Sequence, residues 1–342
     1  MAGPDDFDDA LAESLDVIDR VLAENDVPLT SRPRRAAQDF VRFCIIEVKT
    51  DSAAGPTGPS EFLDYMGSEW FKFIYARTVA WYRWRYGDIM SDRSDRSITG
   101  CTLVLGTPFR IKVPLVTTRP GKPGETIWMH YPAAVEDDED SLSWVERAPN
   151  FATLPRGDGM KARRLANGIA GALRSIYCGM FTVSTGDPRV SELRDPILPH
   201  LDQAAVQIAT GKPVEIKRAQ WELQMACELS LKMLSQQRSG SFTETHDLYV
   251  LHDRLPPGKP PFARALLSRI PSWEVMAEWR YGRGPNITLA EAFSSYRASL
   301  QVVDGLMDAA DRKYRFHGAS FEIRKAPYLH DDHTLFEPRP TK

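Results

Sequence analysis

Arg280 and Arg283 flank Tyr281 in the sequence. Two guanidinium groups beside an aromatic ring suit a phosphate and a stacked base. The next helix opens at Thr288, and the partial positive charge of a helix N-terminus favours an anion at the same loop. A second cluster falls on a predicted strand, where Arg110 and Lys112 alternate with Phe109, Ile111 and Val113. Trp128 and His130 of a following strand are expected to share the basic side. Basic residues interleaved with an aromatic resemble a single-strand binder, and a solvated sheet face gives the same pattern. The run Trp81 to Tyr86, WYRWRY, invites a similar thought. Trp70, Trp81 and Trp84 fall on one helical stripe, however, and read as core, with Arg77 one turn from Trp81 and able to stack on it. His330, Asp331, Asp332 and His333 are metal-capable but adjacent in a terminus, so no metal or other cofactor is expected. Gly-rich phosphate loops and the HExxH, GxSxG and EF-hand patterns do not occur.

The elements that must position these residues change character along the chain. Leu11, Leu15, Ile18 and Leu22 make one face of a helix over 7–24, and Pro33, capped by Ser31, opens a second towards Ile46. After the break TDSAAGPTGPS a long helix is predicted over 61–86, its stripe comprising Met66, Trp70, Phe73, Ile74, Arg77, Trp81 and Trp84. The period then shortens to two over Cys101–Leu105, Phe109–Val116 and Thr126–Tyr131, which predicts a small antiparallel sheet, its last two strands forming a hairpin through RPGKPGE. The acidic loop EDDED, 136–140, follows. From Asp158 onward the pattern is helical, with Leu165, Ile169, Leu173, Ile176 and Met180 on one stripe and Asp187 before Pro188 as a cap.

The chain of 342 residues suits two domains. Hydrophobic residues at 42% and charged residues at 26% mark a globular chain, and a net charge of -3 supplies no global field for nucleic acid, so such binding needs a local basic patch. Cys44, Cys101, Cys178 and Cys227 lie far apart without a CxxC pair and read as reduced and mostly buried. The N-terminus MAGPDDFDDALAE is acidic where a signal peptide is basic, and no window of 18 uninterrupted apolar residues occurs. A cytoplasmic protein without a membrane segment is expected.

From Arg218 the chain reads RAQWELQMACELSLKMLSQQRSGSFTETHDLYVLHDRL. Ala226, Glu228, Leu231 and Lys232 stand in an A-x-E-x-x-L-K arrangement, Thr245-His246-Asp247-Leu248 starts the next helix, and Trp279-Arg280-Tyr281 precedes a loop and a final helix opened by a capping box, Thr288 to Glu291. In this order the pieces resemble the HEPN family over about residues 190–312, most closely over 218–312. The periodicities give an α+β protein, with N-terminal helices and a small antiparallel sheet over 1–155 and a tail over 313–342, and the resemblance implies that the helices over 156–312 form an all-α HEPN-like bundle. It also implies that helices 222–234 and 289–307 lie antiparallel, and that Lys232, His246, Arg280, Tyr281 and Arg283 lie near one another. Arg280 then either binds a ligand or pairs with Glu228 to hold the bundle together.

Active members of that family are metal-independent ribonucleases with an R-x(4-6)-H motif at the start of the last helix. Arg194 to His200, Arg312 to His317 and Arg324 to His330 satisfy the spacing, at about the number expected by chance. At the family's own position Asn286 stands where a histidine six residues after Arg280 would be, and an amide hydrogen-bonds but cannot exchange a proton. The implied function is a non-catalytic nucleotide- or RNA-binding and dimerisation protein, a homodimer in solution, with Arg280, Tyr281, Arg283, Asn286, His246 and Lys232 at the ligand. The resemblance further implies a nucleotidyltransferase or another component of a prokaryotic defence or toxin-antitoxin system as partner. The alternative is a ribonuclease of the HEPN type.

Overall fold

A computed structural model describes residues 4–49, 61–90, 97–183, 186–256, 261–280, 283–312 and 314–327. The fold is α+β, and it divides into two compact units: unit 1 comprises Met1–Asp95, Arg119–Trp128 and Glu322–Lys342, and unit 2 comprises Arg96–Thr118 and Met129–Phe321. The first division falls near residue 95, not near 155 as expected.

In unit 1, α1 (Pro4–Glu24), α2 (Arg32–Cys44), α3 (Phe62–Tyr65) and α4 (Glu69–Tyr86) enclose a core of Leu11, Leu15, Leu22, Ala36, Ala37, Phe40, Val41, Phe71 and Ile74. Ser31 precedes α2 without a capping bond from its side chain. The long helix expected over 61–86 is broken, because the Ser68 hydroxyl accepts from the Phe71 amide at 3.3 Å and starts α4 afresh. Its buried stripe is Phe71, Ile74, Thr78 and Tyr82. Trp84 is 63% exposed and Phe73 46%, whereas Ile74 is buried and Trp70 and Trp81 are partly buried against this core, so only part of the expected stripe faces it. Arg85 lies over Trp81, and Arg77 lies over Phe73 at 3.6 Å. Aromatic residues surround α4, and polar satisfaction selects the inner face. Buried Asp19 accepts from the Tyr82 hydroxyl at 2.9 Å, from the Tyr86 hydroxyl and from Arg32 at 3.3 Å. Burial, then the bond to Asp19, pushes the Tyr82 hydroxyl far above the ordinary tyrosine value.

Unit 2 begins with β1 (Ser97–Val104) and β2 (Thr107–Pro114), an antiparallel pair in which Val104 faces Thr107. The turn between them, Leu105 at φ 50° and Gly106 at φ 79°, supplies the two positive φ angles of a primed hairpin turn. The strand expected over 109–116 therefore ends at Pro114. Arg110 and Lys112 are exposed while Ile111 and Val113 are buried, as the alternation implies. A second sheet orders β3 (Thr117–Pro120), β4 (Thr126–Tyr131) and β5 (Ala319–Arg324). Trp128 and His130 lie on β4, so they do not share a sheet with Arg110 and Lys112. β5 occupies part of the stretch expected to be a tail.

The helices of unit 2 are α5 (Arg156–Phe181), α6 (Pro188–Arg194), α7 (Ile197–Ile208), α8 (Pro213–Ser239), α9 (Leu248–Asp253), α10 (Trp273–Arg280) and α11 (Leu289–Ala309). β1 packs against α5 and α7, which explains its membership of this unit and its burial along nearly its whole length. At Gly100 an added Cβ would come within 2.8 Å of Ile169 and 3.1 Å of Leu173, so the absent side chain is what lets α5 lie against the strand. Helix α5 buries Ile169, Leu173, Ile176 and Met180, and the Asp187 side chain caps α6 by accepting from the Arg189 amide.

Helices α8 and α11 pack together but run parallel, contrary to the antiparallel expectation. The carboxyl ends of both meet: Gln237 exchanges two 2.8 Å hydrogen bonds with the Asp311 backbone, and Arg238 donates to the Ala309 carbonyl. The long connection from Gly240 to Thr288 returns the chain to the starting end, which a tight helical hairpin cannot do.

Candidate functional site

Helix α8 and the segment before α9 meet at one carboxylate of unit 2. Glu228 sits in the middle of α8 and is 4% exposed, a position that demands compensation for its charge. Lys232, one turn on, brings Nζ to 3.0 Å from Glu228 Oε1. His246, just before α9, places Nδ1 at 3.0 and 3.1 Å from the two carboxylate oxygens. Two devices hold that histidine. Gln224 donates to the His246 carbonyl at 2.6 Å, and Asp247 caps α9 by accepting from the amides of Tyr249 and Val250.

The His246 ring stacks on Trp273 of α10, with centroids 3.9 Å apart and planes at 12°. Trp221 of α8 lies next to Trp273 at 5.2 Å. To donate to Glu228, Nδ1 must carry the proton, so the neutral ring keeps its lone pair on Nε2. The side chain of His246 is 51% exposed. The arrangement is a partly exposed imidazole, fixed in tautomer by a buried carboxylate and in plane by an indole. It is suited to stacking, to hydrogen bonding and to carrying a proton.

Of the residues expected at the ligand, Lys232 and His246 are thus brought together, through Glu228. Tyr281 and the side chain of Arg280 lie outside the described residues. Arg283 and Asn286 are exposed on the loop before α11, and no hydrogen bond or ion pair among the described residues joins either to Lys232 or His246. The loop is shaped locally. The Arg283 amide donates to the Glu278 carbonyl, Trp279 Nε1 donates to the Pro285 carbonyl at 2.7 Å, and Gly284 takes φ +82°. The expected anion site at the N-terminus of α11 is already served by its own carboxylate. Glu291 accepts from the amide and hydroxyl of Thr288 at 2.8 and 2.7 Å, which holds its carboxyl below the usual range.

Two of the R-x(4-6)-H matches have both members among the described residues. Arg194 pairs with Asp195 and His200 with Glu222. Arg312 donates to the carbonyls of Ala310 and Met307 at the end of α11, and His317 Nε2 lies 3.4 Å from the Ser175 hydroxyl. Burial, then neighbouring Arg312, lowers the His317 value. His330 and the HDDH run lie outside the described residues. Among the described residues no cluster of three or more metal-capable side chains occurs, and no helix is long and apolar enough to cross a membrane.

Sequence reading missed Trp273 as a stacking partner and missed Arg174 altogether. Arg174 is 0% exposed and donates to both oxygens of Glu139 at 2.5 and 2.7 Å and to the carbonyls of Pro114 and Ala134. An arginine on the apolar stripe of α5 was the available signal, since that residue is rarely buried without a partner. Two residues of the acidic loop are thereby anchored: Glu139 is held by Arg174 and Asp140 by Arg163.

Comparisons of the chain with protein-family models, with curated proteins and with solved structures found no match in any of the three.

Proposed function

We propose that this protein is a nucleotide- or RNA-binding and dimerisation protein of HEPN-like character, non-catalytic at its HEPN-like bundle, with the face around His246 as its ligand surface. The observation that carries the reading is the His246–Trp273 stack beside the Lys232–Glu228 pair. An exposed flat ring, clamped from below and at its edge, is ready to receive a base without paying to order a side chain. Arg280 and Arg283, on the same stretch as Asn286, are the residues proposed to meet the phosphate, and Tyr281 a second ring. A prokaryotic defence or toxin-antitoxin complex, with a nucleotidyltransferase as partner, is the biological setting this reading proposes.

A single-stranded RNA oligonucleotide titrated into the full chain tests it. Arg280→Ala and His246→Ala should each weaken binding by roughly tenfold, the worth of one charge-assisted contact or one stacked base, with little change in Arg280→Ala melting. Absence of binding by the wild type at tens of micromolar overturns the reading. Light scattering at the same concentration should report a dimer.

One observation favours the ribonuclease alternative. His246 with its proton on Nδ1, bonded to Glu228, has the tautomer of a general base, which Asn286 cannot supply. Cleavage of the oligonucleotide in the presence of a chelator, lost in His246→Gln, would decide for that alternative.

A further inference from the structure

A second constellation, independent of the face around His246, lies where β4, β5 and the acidic loop of unit 2 meet. Ser320 Oγ of β5 is 2.6 Å from His130 Nδ1 of β4, and His130 Nε2 is 2.7 Å from Glu136 Oε1. A hydroxyl, an imidazole and a carboxylate are therefore in series, each link within hydrogen-bond reach. The carboxylate can only accept, so Nε2 carries the proton it donates to Glu136, and the lone pair on Nδ1 faces the serine. This is the tautomer a general base needs. Ser320 is exposed, while the side chain of His130 is 15% exposed, so the hydroxyl is reachable and the base is sheltered behind it.

The third member is held in place from the core. The Glu136 amide donates to Glu139 Oε2 at 2.9 Å, and Glu139 is clamped by both nitrogens of fully buried Arg174. Arg174 also binds the Ala134 carbonyl, two residues before Glu136. An unbroken run of charge-assisted contacts thus fixes the loop that orients His130. A buried arginine committed to a surface loop is a costly arrangement for loop stability alone. It is what a preorganised proton relay requires.

We propose that Ser320 is a nucleophile, His130 its general base and Glu136 the positioning residue of an acyl-transfer site that takes carboxylic esters. The relay supplies a nucleophile and a proton carrier, which is what attack on a neutral carbonyl needs. The Ser320 oxygen forms a bond to the carbonyl carbon as its proton passes to Nδ1 of His130. The tetrahedral intermediate expels the alkoxide, which takes that proton and leaves as an alcohol. Water repeats the sequence on the acyl-serine, and the carboxylic acid departs with Ser320 regenerated.

The test uses the full chain, a fluorophosphonate probe that labels activated serines, and p-nitrophenyl acetate. The expected result is one label per chain, on Ser320 by peptide mapping, and ester hydrolysis with a burst. Ser320→Ala should lose both, and His130→Gln should slow labelling by about 10²- to 10⁴-fold, the usual worth of a general base. Glu136→Gln should slow it by roughly tenfold or more and change its pH profile, which a merely structural role would not do. Each variant is checked by thermal melting. Should His130→Gln not fold, Glu136→Gln, whose side chain is 31% exposed, carries the same test. Folded wild type that takes no label, labelling at another residue, or labelling that Glu136→Gln leaves unchanged in rate and pH profile overturns the proposal.

Discussion

Lys232 and Glu228 show how a single buried charge determines its neighbourhood. The two side chains are 8% and 5% exposed, and neither has enough water to be stable alone. Replacing Lys232 by Met leaves Glu228 with His246 as its remaining partner, so a loss of stability of about 3 kcal/mol, at the low end for a broken buried pair, is expected. Urea denaturation measures it, and a loss under about 1 kcal/mol would show that His246 alone compensates the carboxylate. The cysteines provide a second residue-scale expectation. Burial pushes the thiols of Cys101 and Cys227 up to about 12 and that of Cys178 up to about 11, while Cys44 is exposed. A thiol reagent should consume one cysteine quickly in the folded protein and all four only in denaturant.

Helix α11 allows opposing effects to be compared at the scale of an element. At Gly305 an added Cβ would stand 2.3 Å from the Pro261 carbonyl oxygen. Alanine is the better helix former by about 1 kcal/mol, but a backbone clash of that depth costs more, typically about 1 to 3 kcal/mol. Gly305→Ala should therefore lower the melting temperature, and a rise would place Pro261 elsewhere. At the other end of α11 the capping box makes stability depend on pH. The amide and hydroxyl of Thr288 hold Glu291 below its ordinary value, so its contribution is present in full above that value and is lost as pH falls through the lower folded-state value. The melting temperatures of wild type and Glu291→Gln should differ at neutral pH and converge once the pH has fallen through the lowered folded-state value. Equal melting temperatures at both ends of the titration would show that the hydroxyl of Thr288 alone makes the cap.

At the scale of the whole molecule, the described residues form two hydrophobic clusters with no residue in common, one in each compact unit. Each unit buries its own core, so the chain should not unfold as one cooperative body. Calorimetry should show two transitions. Leu15→Ala, in unit 1, and Leu223→Ala, in unit 2, both 0% exposed, should each lower a different one. A single transition whose calorimetric and van't Hoff enthalpies agree would mean that the two cores melt together.

The periodicities of α1 and α5, the cap at Asp187, the capping box at Thr288 and the alternation of Arg110, Ile111, Lys112 and Val113 were legible without any structure. Each is a relation between residues a few positions apart, and the local geometry of a helix or strand determines it directly. The face of α4 was not legible, because aromatic residues surround that helix and only Asp19, brought from α1, selects Tyr82 and Tyr86. Nor was the direction of α11 against α8, which the long return after Gly240 sets. The same holds for both constellations. His246 meets Trp273, and Ser320 meets His130, across separations at which sequence spacing carries no distance information. Burial of Glu228 and Arg174 assembles their surroundings, since a charge removed from water must find its partners wherever along the chain they lie.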